Sequence, residues 1–366
     1  MWNARAARFL VYLVFALAAF CAAQQPQRTS SPASSPQAAP SQTTPAPATP
    51  ESPCPQPPGL LVDCGAAAQV PVVAPQELPV PDTKPLIDPR EPSVLGELQI
   101  ITINSKVYRN IRNVRVWLPA NYFAPVNRAK HYPVLYMQDG QNLFDEATAV
   151  KHEWTFDETV QFLTGSMRIH PMIVVGIDST PRRANEYLPY PDPNNKDLGK
   201  FETQDVHGKQ YGDFVINEVM PLIEKKYRVL TGPHNTGLGG ATYGADAALY
   251  TVLSHPGVFG KLLLESPVLL VGNEQLLRDA EKATQFPEKI YLGLGTAEGS
   301  DDKASAKGVE EVLELEKILR AKGLTPTRLK VVVEEGAKPD ETAWSKRLQN
   351  ALLSLYGSDI HLIPAK

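Results

Sequence analysis

Five residues, Gly240-Ala241-Thr242-Tyr243-Gly244, have the spacing of a nucleophile elbow, a sharp strand-to-helix turn that presents a hydroxyl above the end of a sheet. Glycines at both ends let the strand and helix backbones approach each other. The apex of such a turn is ordinarily serine, and here it is Thr242. A threonine hydroxyl has a pKa far above 7, so its attack on an ester needs a base to remove the proton during the step. A β-branched residue also sits badly at an apex of positive φ, at a cost of about 1–3 kcal/mol. The motif points to acyl transfer with its nucleophile altered.

An elbow needs a strand running in and a helix leading out. Residues 234–239 can supply a short strand, and the small residues of 245–253 a helix able to pack closely on a sheet. Around them the chain alternates strand and helix signals. Residues 98–103 and 114–118 read as an opening strand pair, and 132–137 as the first buried strand. The apolar runs 172–177, 261–264, 290–294 and 329–333 have buried-strand length, and 211–227, 304–322 and 340–356 carry helical patterns. This alternation predicts an α/β fold with a mostly parallel central sheet and helices on both faces.

The elbow text, followed by His255-Pro256-Gly257-Val258-Phe259-Gly260, resembles a family of esterases of the α/β-hydrolase fold that includes enterochelin and feruloyl esterases, S-formylglutathione hydrolases and mycolyltransferases. The most specific match is Tyr132-Pro133-Val134-Leu135-Tyr136-Met137-Gln138-Asp139-Gly140-Gln141-Asn142-Leu143-Phe144-Asp145. The resemblance extends over residues 98–357 and implies hydrolysis or transfer of carboxylic esters without a metal or organic cofactor. It implies an oxyanion hole made by a backbone donor around Gln141 or Asn142 and by the Tyr243 N–H. Asp139, Gln141 and Asn142 serve equally well to satisfy the backbone of their own loop. Arg182, Arg183, Glu186 and Tyr187 look like the family's loop after the next strand, where Arg and Glu are expected to pair over the site; a surface ion pair is the plainer alternative. The 187–201 stretch reads as a rim loop.

The resemblance places the acid of a catalytic triad at Glu298, in Gly295-Thr296-Ala297-Glu298, although Asp301 and Asp302 make a solvated acidic turn nearly as good a reading. It places the base within Glu335-Gly336-Ala337-Lys338-Pro339-Asp340-Glu341, at the position held by Pro339. Proline has no imidazole and no N–H, so it cannot take a proton from a nucleophile. Two of three triad positions are thus altered, in separate parts of the chain. His255 falls in the family's His-Pro turn, the other histidines up to His234 sit in loops or strand starts, and His361 lies in a tail at 358–366. The expectation is a pseudoesterase that binds a small ester or an envelope ligand. The alternatives are an active ester hydrolase using Thr242 with another base, and a purely structural envelope role.

The 366 residues and 43% apolar content suffice for one large core. A net charge of −4 argues against a nucleic-acid surface. Residues 1–23 read as a signal peptide: Arg5 and Arg8 precede an apolar run of about twelve residues, short of the ~20 a membrane span requires, and then Cys21-Ala22-Ala23. Export follows, to periplasm, envelope or exterior, with no span retained after cleavage. Lipidation at Cys21 is disfavoured by Phe20 before it. Residues 24–97 hold more than half of the 34 prolines and no aromatic residue, so they cannot bury enough surface to order themselves and should form an extended tether. Within it Cys54 and Cys64 form an isolated even pair, which in an exported chain most simply means a disulfide; no histidine lies nearby for a metal site.

Overall fold

The computed structural model describes residues 93–191 and 205–357. The expected signal peptide, the tether up to residue 92, Cys21, Cys54, Cys64, most of the expected rim loop and the 358–366 tail with His361 lie outside the described residues.

Eight strands form one sheet in the order β1-β2-β4-β3-β5-β6-β7-β8. Strands β1 (Glu97–Asn104) and β2 (Ile111–Leu118) pair antiparallel, and β2 pairs antiparallel with β4 (Ile173–Ile177). From β4 onward every pairing is parallel, through β3 (Val134–Gln138), β5 (Thr236–Ala241), β6 (Lys261–Glu265), β7 (Lys289–Gly295) and β8 (Leu329–Glu334). The central strands are buried along their whole length, which is why they read as unbroken apolar runs.

Successive side chains of each strand go to opposite layers. Val134 and Tyr136 of β3, Leu262 and Leu264 of β6, and Ile290 and Leu292 of β7 enter one core. That core also takes residues of α3 (Tyr211–Phe214), α4 (Met220–Lys226), α5 (Tyr243–Ser254), α6 (Val271–Lys282) and α7 (Asp302–Ala321). Leu135, Met137, Leu263 and Tyr291 enter the other, against α1 (Phe156–Gly165) and α8 (Glu341–Tyr356). Between β4 and α3 lies a short helix, α2 (Arg183–Tyr187).

The helices depart from the expected pattern: α1, α2 and α6 are additional to it, and one expected helix is interrupted. The 211–227 stretch is not one α-helix: a π turn, Val215–Val219, separates α3 from α4. Pro221 has no N–H to return to a carbonyl four residues back, so the ladder shifts register there. Helix α6, absent from the expected pattern, contains three residues of positive φ, Gly272, Asn273 and Glu274, that break its start. Among the described residues, no helix is long and apolar enough to cross a membrane.

Candidate functional site

Strand β5 runs directly into Thr242, which has φ 51° and ψ −125°, and α5 begins one residue later. This strained apex is pinned on both sides: its N–H donates to the Glu265 carbonyl at 2.9 Å, and its own carbonyl accepts from the N–H groups of Ala245 and Asp246. Gly240 is required by close approach, because a Cβ there would lie 2.5 Å from Gln138 Oε1 and 2.7 Å from the Gly244 backbone. The elbow therefore has its strand, its turn and its helix.

The partner of the apex hydroxyl is a cation. Arg183, at the start of α2, donates from one terminal nitrogen to Thr242 Oγ1 at 3.0 Å and to the Ala241 carbonyl at 3.1 Å. The same guanidinium makes a two-point ion pair with Asp139, at 2.8 and 2.7 Å, and lies over the Tyr187 ring. Burial works against its charge, but Asp139 outweighs burial and holds its pKa above the ordinary arginine value. A guanidinium so placed donates to the threonine oxygen and cannot accept its proton. The expected pairing of Arg and Glu within this loop is corrected: Arg183 pairs with Asp139, and Glu186 turns away to a buried ion pair with Arg112 at 2.9 Å. Arg182 makes an exposed pair with Asp205.

Thr242, Glu298 and Pro339 line one cavity of about 220 Å³, with Ser266, Leu294 and Glu311 among its other walls. Glu298 follows β7, and its Oε1 accepts from the Gly295 N–H at 2.6 Å and the Ser266 hydroxyl at 2.7 Å. Ser266 Oγ in turn accepts from the indole N–H of Trp344 at 2.8 Å, which ties the acid position to α8. Burial raises the Glu298 pKa, against the lowering effect of those two hydrogen bonds. Pro339 precedes Asp340, the N-cap of α8, whose carboxylate accepts from the Ala343 N–H at 3.0 Å. Asp301 is likewise the N-cap of α7.

In the loop after β3, the Gln141 side chain bridges to Ser179, donating to its hydroxyl at 2.9 Å and accepting from its N–H at 3.0 Å. Asn142 Oδ1 accepts from the Val150 N–H, and its amide donates to Glu341 at 3.1 Å. Both side chains hold loops together, which leaves only backbone groups here for an oxyanion. Tyr243 is the first residue of α5, with the Arg183 guanidinium 5.9 Å from its ring centre.

Four of the described histidines are engaged elsewhere: His152 with Glu146, His207 with Asp205, His234 with Glu288, and His255 with Asp213 and Ser254. Sequence reasoning does not find the Arg183 contact to Thr242, nor the chain from Trp344 through Ser266 to Glu298. Arg183 stands out as part of a motif, but its partners are distant along the chain and no local pattern names them.

The sequence model of the family described as "Putative esterase" matches residues 105–355. Uncharacterized protein YbbA of Bacillus subtilis (strain 168) is 24% identical over 249 residues, 68% of this chain and 94% of that protein. Among solved structures, an IroE-like serine hydrolase from Shewanella oneidensis is similar with a TM-score of 0.56 and 20% identity, over 71% of this chain and 80% of the other. A ferulic acid esterase gives a TM-score of 0.53 and 19% identity, over 71% of this chain and 97% of the other. At that identity the two structures establish the α/β-hydrolase fold.

Proposed function

The chain belongs to the "Putative esterase" family, and on that premise we propose that it is an exported, non-catalytic member that binds a small carboxylic ester or acid. The observation that carries this reading is the contact at the elbow: Arg183 donates to Thr242 Oγ1 at 3.0 Å, while Pro339 stands on the same cavity where the resemblance puts a base. A hydrolase needs a group that takes the hydroxyl proton, and here the hydroxyl oxygen is offered another proton donor instead. The cavity suits one substituent of a ligand rather than a large substrate. Ferulate esters are a reasonable first series to try, since a ferulic acid esterase shares the fold. Export rests on the Arg5–Ala23 pattern.

The test is hydrolysis of p-nitrophenyl acetate and butyrate by the full chain, beside Thr242→Ser, Pro339→His and the double variant. The native chain and both single variants should stay at background. The double variant should gain ~10²-fold or more, since a positioned general base contributes about that much. Turnover by the native chain that disappears in Thr242→Ala would overturn the reading and favour an active hydrolase that uses a base from another part of the chain. That second reading draws on the elbow geometry, which holds Thr242 as a nucleophile would be held.

A further inference from the structure

The sheet has a second concave end, at the amino termini of its parallel strands and away from the elbow. A cleft of about 970 Å³ opens there, among Lys130 and His131 before β3, His170 before β4, His234 before β5, Lys261 and Lys289 at the starts of β6 and β7, and Arg328 before β8. Seven basic side chains from six segments of the chain thus line one space in a protein of net charge −4, and among the described residues Glu288 is the one carboxylate in its wall.

Glu288 is already committed, pairing with His234 at 2.8 Å. The four permanent cations find no carboxylate within 4 Å among the described residues. Arg328 donates to the carbonyls of Pro287 and Glu288, at 3.0 Å each. Lys261 is only 6% exposed, yet among the described residues its ammonium has just the His234 carbonyl and the Tyr356 ring, whose centre is 5.4 Å away. Burying an ammonium without an opposite charge is costly, and gathering further cations around it adds repulsion. Burial pushes the Lys261 pKa down, with Lys289 adding to the effect and Glu288 only partly opposing it.

We propose that this cleft is a binding site for a multiply charged small anion, of the phosphate or polycarboxylate type, which supplies the counter-charge that the described residues do not. Lys261 forms its floor, and Lys130, Lys289 and Arg328 its walls. The site is independent of the elbow and of whether the elbow is catalytic.

Calorimetric titration of the full chain at low ionic strength with two probes, inorganic pyrophosphate and citrate, tests this. Saturable one-to-one binding of at least one probe is expected, and which one binds separates a phosphate from a carboxylate ligand. Lys289→Gln and Lys130→Gln should each weaken binding about tenfold, equivalent to ~1.4 kcal/mol, and Lys261→Met should abolish it. Lys225→Gln, on the exposed side of α4, should change nothing. Should Lys261→Met fail to fold, the half-buried Lys289 and exposed Lys130 variants still decide the matter. The proposal is overturned if neither probe saturates at roughly millimolar concentration, or if Lys225→Gln weakens binding as much as Lys289→Gln does.

Discussion

Arg183 decides what the elbow can do, because one side chain joins the apex hydroxyl, the end of β5 and the buried Asp139. Removing one partner of such a pair leaves the other charge uncompensated, which costs more than the pair itself contributes. Arg183→Met is therefore expected to destabilise the fold by about 3 kcal/mol in urea unfolding, and Asp139→Asn in the same chain should recover most of it. If Arg183→Met costs under ~1 kcal/mol, the pair behaves as a solvated surface contact and does not fix the site. At this scale the sequence makes residue types legible and contacts illegible. Thr242, Glu298 and Pro339 can be singled out because each occupies a motif position, and the structure places all three on one cavity. The donor from Arg183 spans 59 positions, and the Trp344–Ser266 bond spans 78. Neither leaves a periodicity or a spacing to read.

Elements are easier to read than contacts because burial imposes a pattern on many residues at once. Strands β3, β4, β6, β7 and β8 show themselves as apolar runs, and β5 as the strand that an elbow requires, each within a residue or two of its bounds, and α5, α7 and α8 are legible as helical stretches. Helix α1 lies outside the expected pattern although its sequence carries a signal, since Phe156, Val160 and Leu163 are its buried face at i, i+4 and i+7. The interruption of α6 by three left-handed residues and the π turn before α4 are set by tertiary packing and by one missing N–H, so local propensity predicts them badly. The two capped helices near the site allow a comparison. Asp301→Ala and Asp340→Ala each remove a side-chain acceptor from a helix start and should each cost about 1 kcal/mol in thermal or urea unfolding. Only the second adjoins Pro339 and the Trp344 anchor of Glu298. In the Thr242→Ser, Pro339→His chain, Asp340→Ala should therefore lower whatever hydrolysis is gained more than Asp301→Ala does. Equal effects of the two would mean that the start of α8 does not position the site.

Across the whole molecule the buried carboxyls set how stability follows pH. Asp246, wholly buried on α5, accepts one hydrogen bond from the Val268 N–H at 2.9 Å, and its Oδ2 has no hydrogen-bond partner among the described residues. Burial pushes its pKa up to about 8, and pushes Asp157 to about 8 as well. Glu265 is raised to about 7, with Arg347 opposing the effect of burial. Each of these groups has a folded pKa above its unfolded one, so between about pH 4 and pH 8 the native state holds protons that the unfolded chain has released. The stability they contribute is complete below the unfolded pKa and is lost as pH rises through the folded one. Lys261, whose pKa is lowered, has the opposite sign, and its influence falls in the alkaline range, below the ordinary lysine value. The melting temperature should therefore fall from pH 5 to pH 8. Asp246→Asn keeps the acceptor for Val268 and cannot ionise, so it should flatten that decline and gain on the native chain by a few kcal/mol by pH 9, since each tenfold difference in proton affinity between folded and unfolded chain is worth about 1.4 kcal/mol. At pH 5 the difference should be smallest within that range, since only about one pH unit then separates the solution from the unfolded pKa of an aspartate, worth roughly 1.5 kcal/mol. Parallel melting curves for both chains across that range would show that Asp246 is not protonated in the fold, and the ion pairs rather than the buried acids would then govern the pH response.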